Sequence, residues 1–235
     1  MKKNTSNLLK DAKAVLFDFD GTLADSFEFH IEAWEHVLEK RKIPFNPFVV
    51  YYNEGRPVEE IAALILEEAG MSLPEDEIAN LIQQKNVHFQ KHNQAAPFPG
   101  VVELLKKLKG SRRKTGLVTG TLRKNLDAAV DASFLKLFDA IVTVEDAEKG
   151  KPAPAPYLAA ASKLGLSPKV CLVIENAPMG IASAKAAGMR CAALATTLDA
   201  KYLQEADAVY KNPQELVQLI TDVTCASFGL RNQKP

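Results

Sequence analysis

The chain is poor in the features that mark proteins for export, membranes or nucleic acid. It has three cysteines in 235 residues, Cys171, Cys191 and Cys225, an odd number, widely spaced and without a CxxC pair. They read as buried or incidental thiols of a reducing cytosol. Cys171 and Cys191 fall in apolar, strand-like runs that favour packing over reactivity. No apolar run reaches the roughly 18 residues of a membrane span. The basic N-terminus MKKNTSNLLKDAK lacks the apolar segment of a signal peptide and reads as a disordered lead-in, and the tail SFGLRNQKP reads as frayed. Neither sign of charge dominates, with 29 Lys and Arg against 29 Asp and Glu. So balanced a chain has no basic excess for nucleic acid or an anionic membrane, although a compact pocket can still be locally positive. Internal repeats and low-complexity blocks are absent too. The expectation is a cytoplasmic protein, a monomer or small homo-oligomer.

What is present is an ordinary globular composition, 47% apolar and 25% charged, at a length that suits one large domain or a core with a smaller insert. The most informative stretch is Ala14–Ser26, AVLFDFDGTLADS. Ala14–Phe17 is a short apolar run closed by a glycine turn, the pattern of a buried strand. Asp18 and Asp20 follow one residue apart. Alternation along a strand sends both to one side and Phe19 to the other. Two carboxylates crowded at a strand end repel each other. A divalent cation relieves that, and oxygen ligands suit Mg²⁺. One of them could then serve as nucleophile and the other as acid and base.

Periodicity supplies the rest of the architecture. Phe27, Ile31, Trp34 and Leu38 form one helix face, with Ser26 as N-cap; Val58, Ile61, Ala62, Ile65, Leu66 and Ala69 form another, stopped by Gly70; Ile78, Leu81, Ile82 and Phe89 form a third, begun near Pro74. Residues 25–96 therefore read as helical throughout. Beyond Gly100 short apolar runs at Gly116–Val118, Ala140–Val144, Val170–Ile174 and Arg190–Leu194 alternate with helical stretches, and Ala208–Tyr210 adds an edge strand. Alternation of this kind predicts a parallel sheet covered on both faces. The fold expected is α/β, a Rossmann-like core of residues 1–24 and 97–235 with an all-helical cap domain, residues 25–96, inserted after the first strand. Ligands of such sheets sit at the strand C-termini. The insert leaves the chain beside Asp20 and would hang over that site.

Three further motifs follow in order: LVTGT at Leu117–Thr121, EKGKPAPAPY at Glu148–Tyr157 and VIENAPMGIASAKAAGM at Val173–Met189. Together with DFDGT they resemble the four motifs of the haloacid dehalogenase superfamily, in its phosphatase and phosphomutase branch, over residues 13–220. The resemblance implies that Asp18 attacks phosphorus to form an aspartyl phosphate, and that Asp20 protonates the leaving alcohol and then activates water. Thr119 matches the family's phosphate-binding hydroxyl, with Gly120 and Thr121 beside it. Lys151, with Lys149 its rival in the same segment, offsets phosphoryl charge. Mg²⁺ would be held by Asp18, the Asp20 main-chain carbonyl and the Glu175–Asn176 end of the fourth strand, where relatives usually carry Glu-Asp. Asn176 removes one negative charge there, and which of the two residues touches the cation is open. Asp20 argues against dehalogenase chemistry, which needs no proton donor at that place. A Schiff-base lysine in the cap, at Lys40 or Lys42, has nothing to single it out.

HxxAW, with His30 and Trp34 four apart on one helix face, resembles the sugar-phosphate members such as the β-phosphoglucomutases. NEGRPVEE resembles their substrate-closing cap loop, with Gly55 at a sharp turn and Arg56 towards a second anionic or hydroxyl-rich group. Trp34 as packing and Arg56 as a surface residue are the plainer readings. The leading expectation is a Mg²⁺-dependent phosphatase of a small phosphorylated metabolite, a sugar phosphate. The alternatives are a phosphomutase and a non-catalytic metabolite-binding protein on the same fold.

Overall fold

The computed structural model describes residues 6–227. The tail beyond Ser227 and the side chain of Cys225 lie outside what is described. Six parallel strands, β1 (Ala14–Phe17), β2 (Lys114–Val118), β3 (Ala140–Val142), β4 (Cys171–Glu175), β5 (Arg190–Leu194) and β6 (Ala208–Tyr210), form one sheet in the order β3-β2-β1-β4-β5-β6. β1 is central and wholly buried, its Val15 level with Thr115 on one side and Leu172 on the other. Its side chains alternate between two cores. Val15 and Phe17 face α1 (Ser6–Lys10), α6 (Val101–Gly110) and α11 (Pro213–Ser227). Ala14 and Leu16 face α9 (Ala155–Lys163) and α10 (Pro178–Ala186). Burial on both faces is why the strands read as continuous apolar runs.

The lead-in departs from expectation. Residues 6–10 form α1, because Leu9 is fully buried against the sheet and α1 packs on α11. Three short helices also emerge: α3 (Pro47–Tyr52), α7 (Arg123–Ala129) and α8 (Ala132–Leu135). Each spans about two turns or fewer, too short for an apolar repeat to show. α3 starts where the Asn46 side chain accepts the Phe48 N–H at 3.1 Å.

Between β1 and β2 the chain is helical, as expected. α2 (Phe27–Glu39), α4 (Val58–Glu68) and α5 (Glu75–His92) share a core built on Ile31, Trp34, Leu38, Ile61, Ile65 and Leu81, with Gly70 in the left-handed conformation (φ 65°) closing α4. Ser26 precedes α2 without a side-chain cap hydrogen bond; its hydroxyl turns to Asp20 instead. Among the described residues no helix is long and apolar enough to cross a membrane. Leu81, fully buried at the centre of the insert and away from the sheet, tests that core. Leu81→Ala should cost about 2–5 kcal/mol of stability, read as a lowered denaturation midpoint.

Candidate active site

The C-terminal edge of the sheet gathers the expected motifs. Asp18 follows β1, Thr119 follows β2, Glu175 ends β4, and Thr196 and Thr197 follow β5. Lys151 arrives from the segment before α9. It is 2% exposed, and its Nζ lies 2.6 Å from Asp18 Oδ1, 2.7 Å from Glu175 Oε1 and 3.4 Å from the Val118 carbonyl. Lys149 is exposed, so Lys151 is the lysine of this segment that reaches the site. Burial works against its charge, yet Asp18 and Glu175 together hold the ammonium above its ordinary value.

Glu175 is fully engaged. Oε1 accepts from Lys151 and from the Tyr157 hydroxyl at 2.8 Å, and Oε2 accepts the N–H groups of Asn176 (2.9 Å) and Ala177 (3.2 Å) at the entrance of α10. Gly180 sits over this carboxylate, and any side chain there would run into it. Asp18 keeps one oxygen for Lys151, while its Oδ2 is buried without a hydrogen-bond partner. Burial pushes the Asp18 carboxyl up to about 8 against the pull of Lys151, with Glu175 and Asp20 adding to the rise.

Asp20 faces the insert. Its Oδ1 accepts from the Ser26 hydroxyl and lies 3.3 Å from His30 Nε2; its Oδ2 lies 3.4 Å from the Thr121 hydroxyl. Lys85 Nζ is 2.8 Å from His30 Nδ1. An ammonium can only donate, so Nδ1 is the acceptor and Nε2 carries the proton towards Asp20. Burial and Lys85 hold His30 below its ordinary value despite Asp20. At neutral pH His30 therefore offers Asp20 a hydrogen bond rather than a charge. Burial opposes the ionised form of Asp20, but these donors outweigh it and hold the carboxyl below its ordinary value.

Asn176 is fully buried. Its Oδ1 accepts from Thr22 at 3.0 Å, and its Nδ2 donates to Thr197 at 3.2 Å and to Glu54 Oε2 at 2.8 Å. Glu54 comes from the turn between α3 and α4 and is 6% exposed; its Oε1 is buried without a partner. Burial, then the neighbouring Asp18 carboxylate, push Glu54 well above the usual carboxylate range, against the Asn176 hydrogen bond. Among the described residues no three His, Cys, Asp or Glu side chains form a metal cage. The reason is visible here: Asp20 is turned to the insert and Glu175 to Lys151. The donors that remain are hard oxygens, and the two unpartnered carboxylate oxygens suit a hard cation.

The substrate-side expectations divide. Gly120 and Thr121 line a cavity of about 150 Å³ with Asp18, Asp20, His30, Trp34 and Gly55. Thr119 is buried beside it, its hydroxyl accepting the Thr121 N–H at 3.1 Å. Trp34, 1% exposed, belongs to the insert core and presents one face to the cavity, so both readings of it hold. Gly55 adopts φ 89°, and a Cβ there would lie 2.8 Å from Lys151 Cδ. Arg56 also borders the cavity, but its guanidinium is 2.8 Å from Glu60 and 3.0 Å from Asn53. Lys40 and Lys42 are exposed.

Sequence reasoning missed Glu54 and Lys85. Lys85 had a signal: it continues the face Ile78, Leu81, Ile82, Phe89, a lone charge on an apolar stripe. It lies 5.8 Å from the Trp34 ring centroid and 5.2 Å from that of Phe89. Burial lowers Lys85 from 10.5 to about 8, against the attraction of Asp20. Below pH 8 both folded and unfolded chains carry this proton and the burial penalty is present. Between about pH 8 and 10.5 only the unfolded chain does, so stability rises with pH. Denaturation midpoints across this range should climb for the wild type relative to Lys85→Met.

The sequence model of the haloacid dehalogenase-like hydrolases matches residues 15–194. The chain is 35% identical to the validoxylamine A 7'-phosphate phosphatase of Streptomyces hygroscopicus subsp. limoneus, over 87% of this chain and 95% of that protein. It is 35% identical to the β-phosphoglucomutase of Bacillus subtilis (strain 168), over 75% of this chain and 80% of that one. A solved hydrolase from Pseudomonas syringae superposes with a TM-score of 0.78 at 29% identity, covering 89% of this chain and 98% of its own. The four motifs meet at one sheet edge and the relatives align across both core and insert, so the chain belongs to the haloacid dehalogenase-like hydrolase family, in its phosphatase and β-phosphoglucomutase-like branch.

Proposed function

We propose that this protein is a Mg²⁺-dependent phosphatase that hydrolyses a small sugar phosphate through an aspartyl phosphate on Asp18. Its kinship makes it a phosphoric monoester hydrolase. The observation that carries the mechanism is the pairing of Asp18 with Lys151 at 2.6 Å, beside a cavity that Asp18 and Asp20 both line. In this reading residues 25–96 are a cap domain over a core of residues 1–24 and 97–235.

Asp18 attacks the substrate phosphorus in line, and the bond to the leaving oxygen breaks. Asp20 gives that oxygen its proton. Asp20 is held ionised by Ser26 and His30 before substrate arrives; an anionic substrate beside it raises its pKa towards the protonated form this step needs. After the alcohol leaves, the Asp20 carboxylate takes a proton from water, and that water displaces Asp18 from phosphorus. The Thr119 hydroxyl, itself held by the Thr121 N–H, and the main chain at Gly120 orient the phosphoryl oxygens, and Lys151 offsets their charge. Asp18, the Asp20 main-chain carbonyl and Asn176 would hold Mg²⁺, which when bound screens the phosphoryl oxygens and favours ionised Asp18. Glu175 stands behind, positioning Lys151.

The cavity suits a sugar. Phe27, Trp34, Val50 and Val58 form an apolar wall for the C–H face of a ring, and Asn86 and Asn125 supply polar partners for hydroxyls. Relatives with validoxylamine A 7'-phosphate phosphatase and β-phosphoglucomutase activity agree with that class. A mutase shares the first step, but must also hold a bisphosphate. Arg56, the residue expected to meet a second anionic or hydroxyl-rich group, is hydrogen-bonded to Glu60 and Asn53, which favours water as acceptor. The intact Asp18, Asp20, Thr119 and Lys151 leave the non-catalytic reading without support.

Asp18→Asn should lower turnover of a phosphate ester by more than about 10³-fold with an unchanged circular dichroism spectrum; near wild-type turnover would rule out the covalent route. Incubated with Mg²⁺ and glucose 1-phosphate, the enzyme should release inorganic phosphate whether or not a catalytic amount of glucose 1,6-bisphosphate is added. Glucose 6-phosphate forming faster than free phosphate, and only with the bisphosphate, would establish the mutase instead.

A further inference from the structure

We propose that Glu54 is a cation ligand supplied by the inserted helices, so that divalent-cation binding and closure of the insert over the sheet are one linked equilibrium. This rests on the reading of the sheet edge as a Mg²⁺ site, and extends it to a residue outside the four motifs.

Glu54 is an unusual surface-turn residue. It lies between α3 and α4, just before Gly55, yet it is 6% exposed and pressed against the core. Its Oε2 accepts from Asn176 Nδ2 at 2.8 Å and lies 3.4 Å from the Thr197 hydroxyl, so it touches both β4 and β5 loops. No Lys, Arg or His is paired with it among the described residues. Its Oε1 is buried and unpartnered, as is Oδ2 of Asp18. Two ionisable oxygens, one from the insert and one from the core, are thus buried with unfilled lone pairs in one neighbourhood.

The local charge explains why. The buried charged side chains around this site are the carboxylates of Asp18, Glu54 and Glu175 and the ammonium groups of Lys151 and Lys85, of which Lys85 is turned to His30. Lys151 is committed to Asp18 and Glu175, which leaves Glu54 without a counter-charge. Burying an unpaired carboxylate is costly, and a hard divalent ion between Asp18 and Glu54 removes that cost. Position 176, at the end of β4, offers a neutral amide. Glu54 reaches that same amide and brings the missing negative charge from the other side. With the insert closed the site has its full charge; with it open, Glu54 is withdrawn and the site is one carboxylate poorer. A ligand that binds one state better than the other shifts the population towards it.

The experiment uses the full chain. Mg²⁺ is titrated calorimetrically into wild type, Glu54→Gln, and the double variant Glu54→Gln with Asn176→Asp, and the radius of gyration is measured by small-angle X-ray scattering with and without Mg²⁺. Expected are contraction of the wild type on Mg²⁺, and in Glu54→Gln an affinity weaker by about tenfold or more with the contraction lost. The double variant should regain affinity, because the charge is restored on the core, but not contraction, because it is no longer on the insert. Affinity and contraction unchanged in Glu54→Gln, a wild type that binds Mg²⁺ without contracting, or a double variant that contracts would each overturn the proposal while leaving the Mg²⁺ site standing. A wild type that does not bind Mg²⁺ would remove both.

Discussion

The arrangement of the site depends on the Lys151 ammonium held between Asp18 and Glu175. A buried lysine is stable only when its charge is matched and its protons are taken up. Here the two carboxylates match the charge, and the Val118 carbonyl lies near enough to receive a third donor. The remaining features serve this contact. Tyr157 and two main-chain N–H groups fill the other lone pairs of Glu175, and Gly180 leaves room for that carboxylate. Gly55, from the insert, lies on the aliphatic stem of the lysine. The insert and the core are therefore not independent layers: the insert covers the central ion pair of the core.

The same economy appears around Asp20. Its two neighbours from the insert, His30 and Lys85, form a chain in which each group determines the proton position of the next. Lys85 can only donate, so His30 can donate only through Nε2, and Asp20 receives that bond. Asp18 and Asp20, two residues apart, thus have opposite environments. One is raised by burial among carboxylates and the other lowered by donors. Divergent environments for paired carboxylates are how one site separates a nucleophile from an acid and base.

The central strands β1 and β4 were legible because they are buried on both faces and read as apolar runs, and the long helices because α2, α4 and α5 each bury one stripe against a shared core. α3, α7 and α8 were not, since a helix of about two turns or fewer has no repeat to detect. α1 was masked by its basic and polar neighbours, with Leu9 as its one strong anchor. At the site, Asp18 and Asp20 stood out as two carboxylates crowded at a strand end, whereas Thr119 and Lys151 were legible through the resemblance of their motifs to those of the haloacid dehalogenase superfamily. The burial of Lys151 and the exposure of Lys149 depend on how the segment before α9 folds onto β2 and β4.

What the sequence alone determined is the set of groups each strand carries to its C-terminal end, since that follows from local pattern and from the convergence of parallel strands at one edge. Tertiary structure decided which of those groups meet and which way they point. It turned Glu175 inward to Lys151 and Tyr157, left Asn176 facing the insert, and spent Arg56 on Glu60. It also brought Glu54 across 122 residues of chain to Asn176. No local pattern marks such a residue. Its burial and its partner come from the docking of one layer on another, and a glutamate in a polar turn otherwise reads as solvated surface.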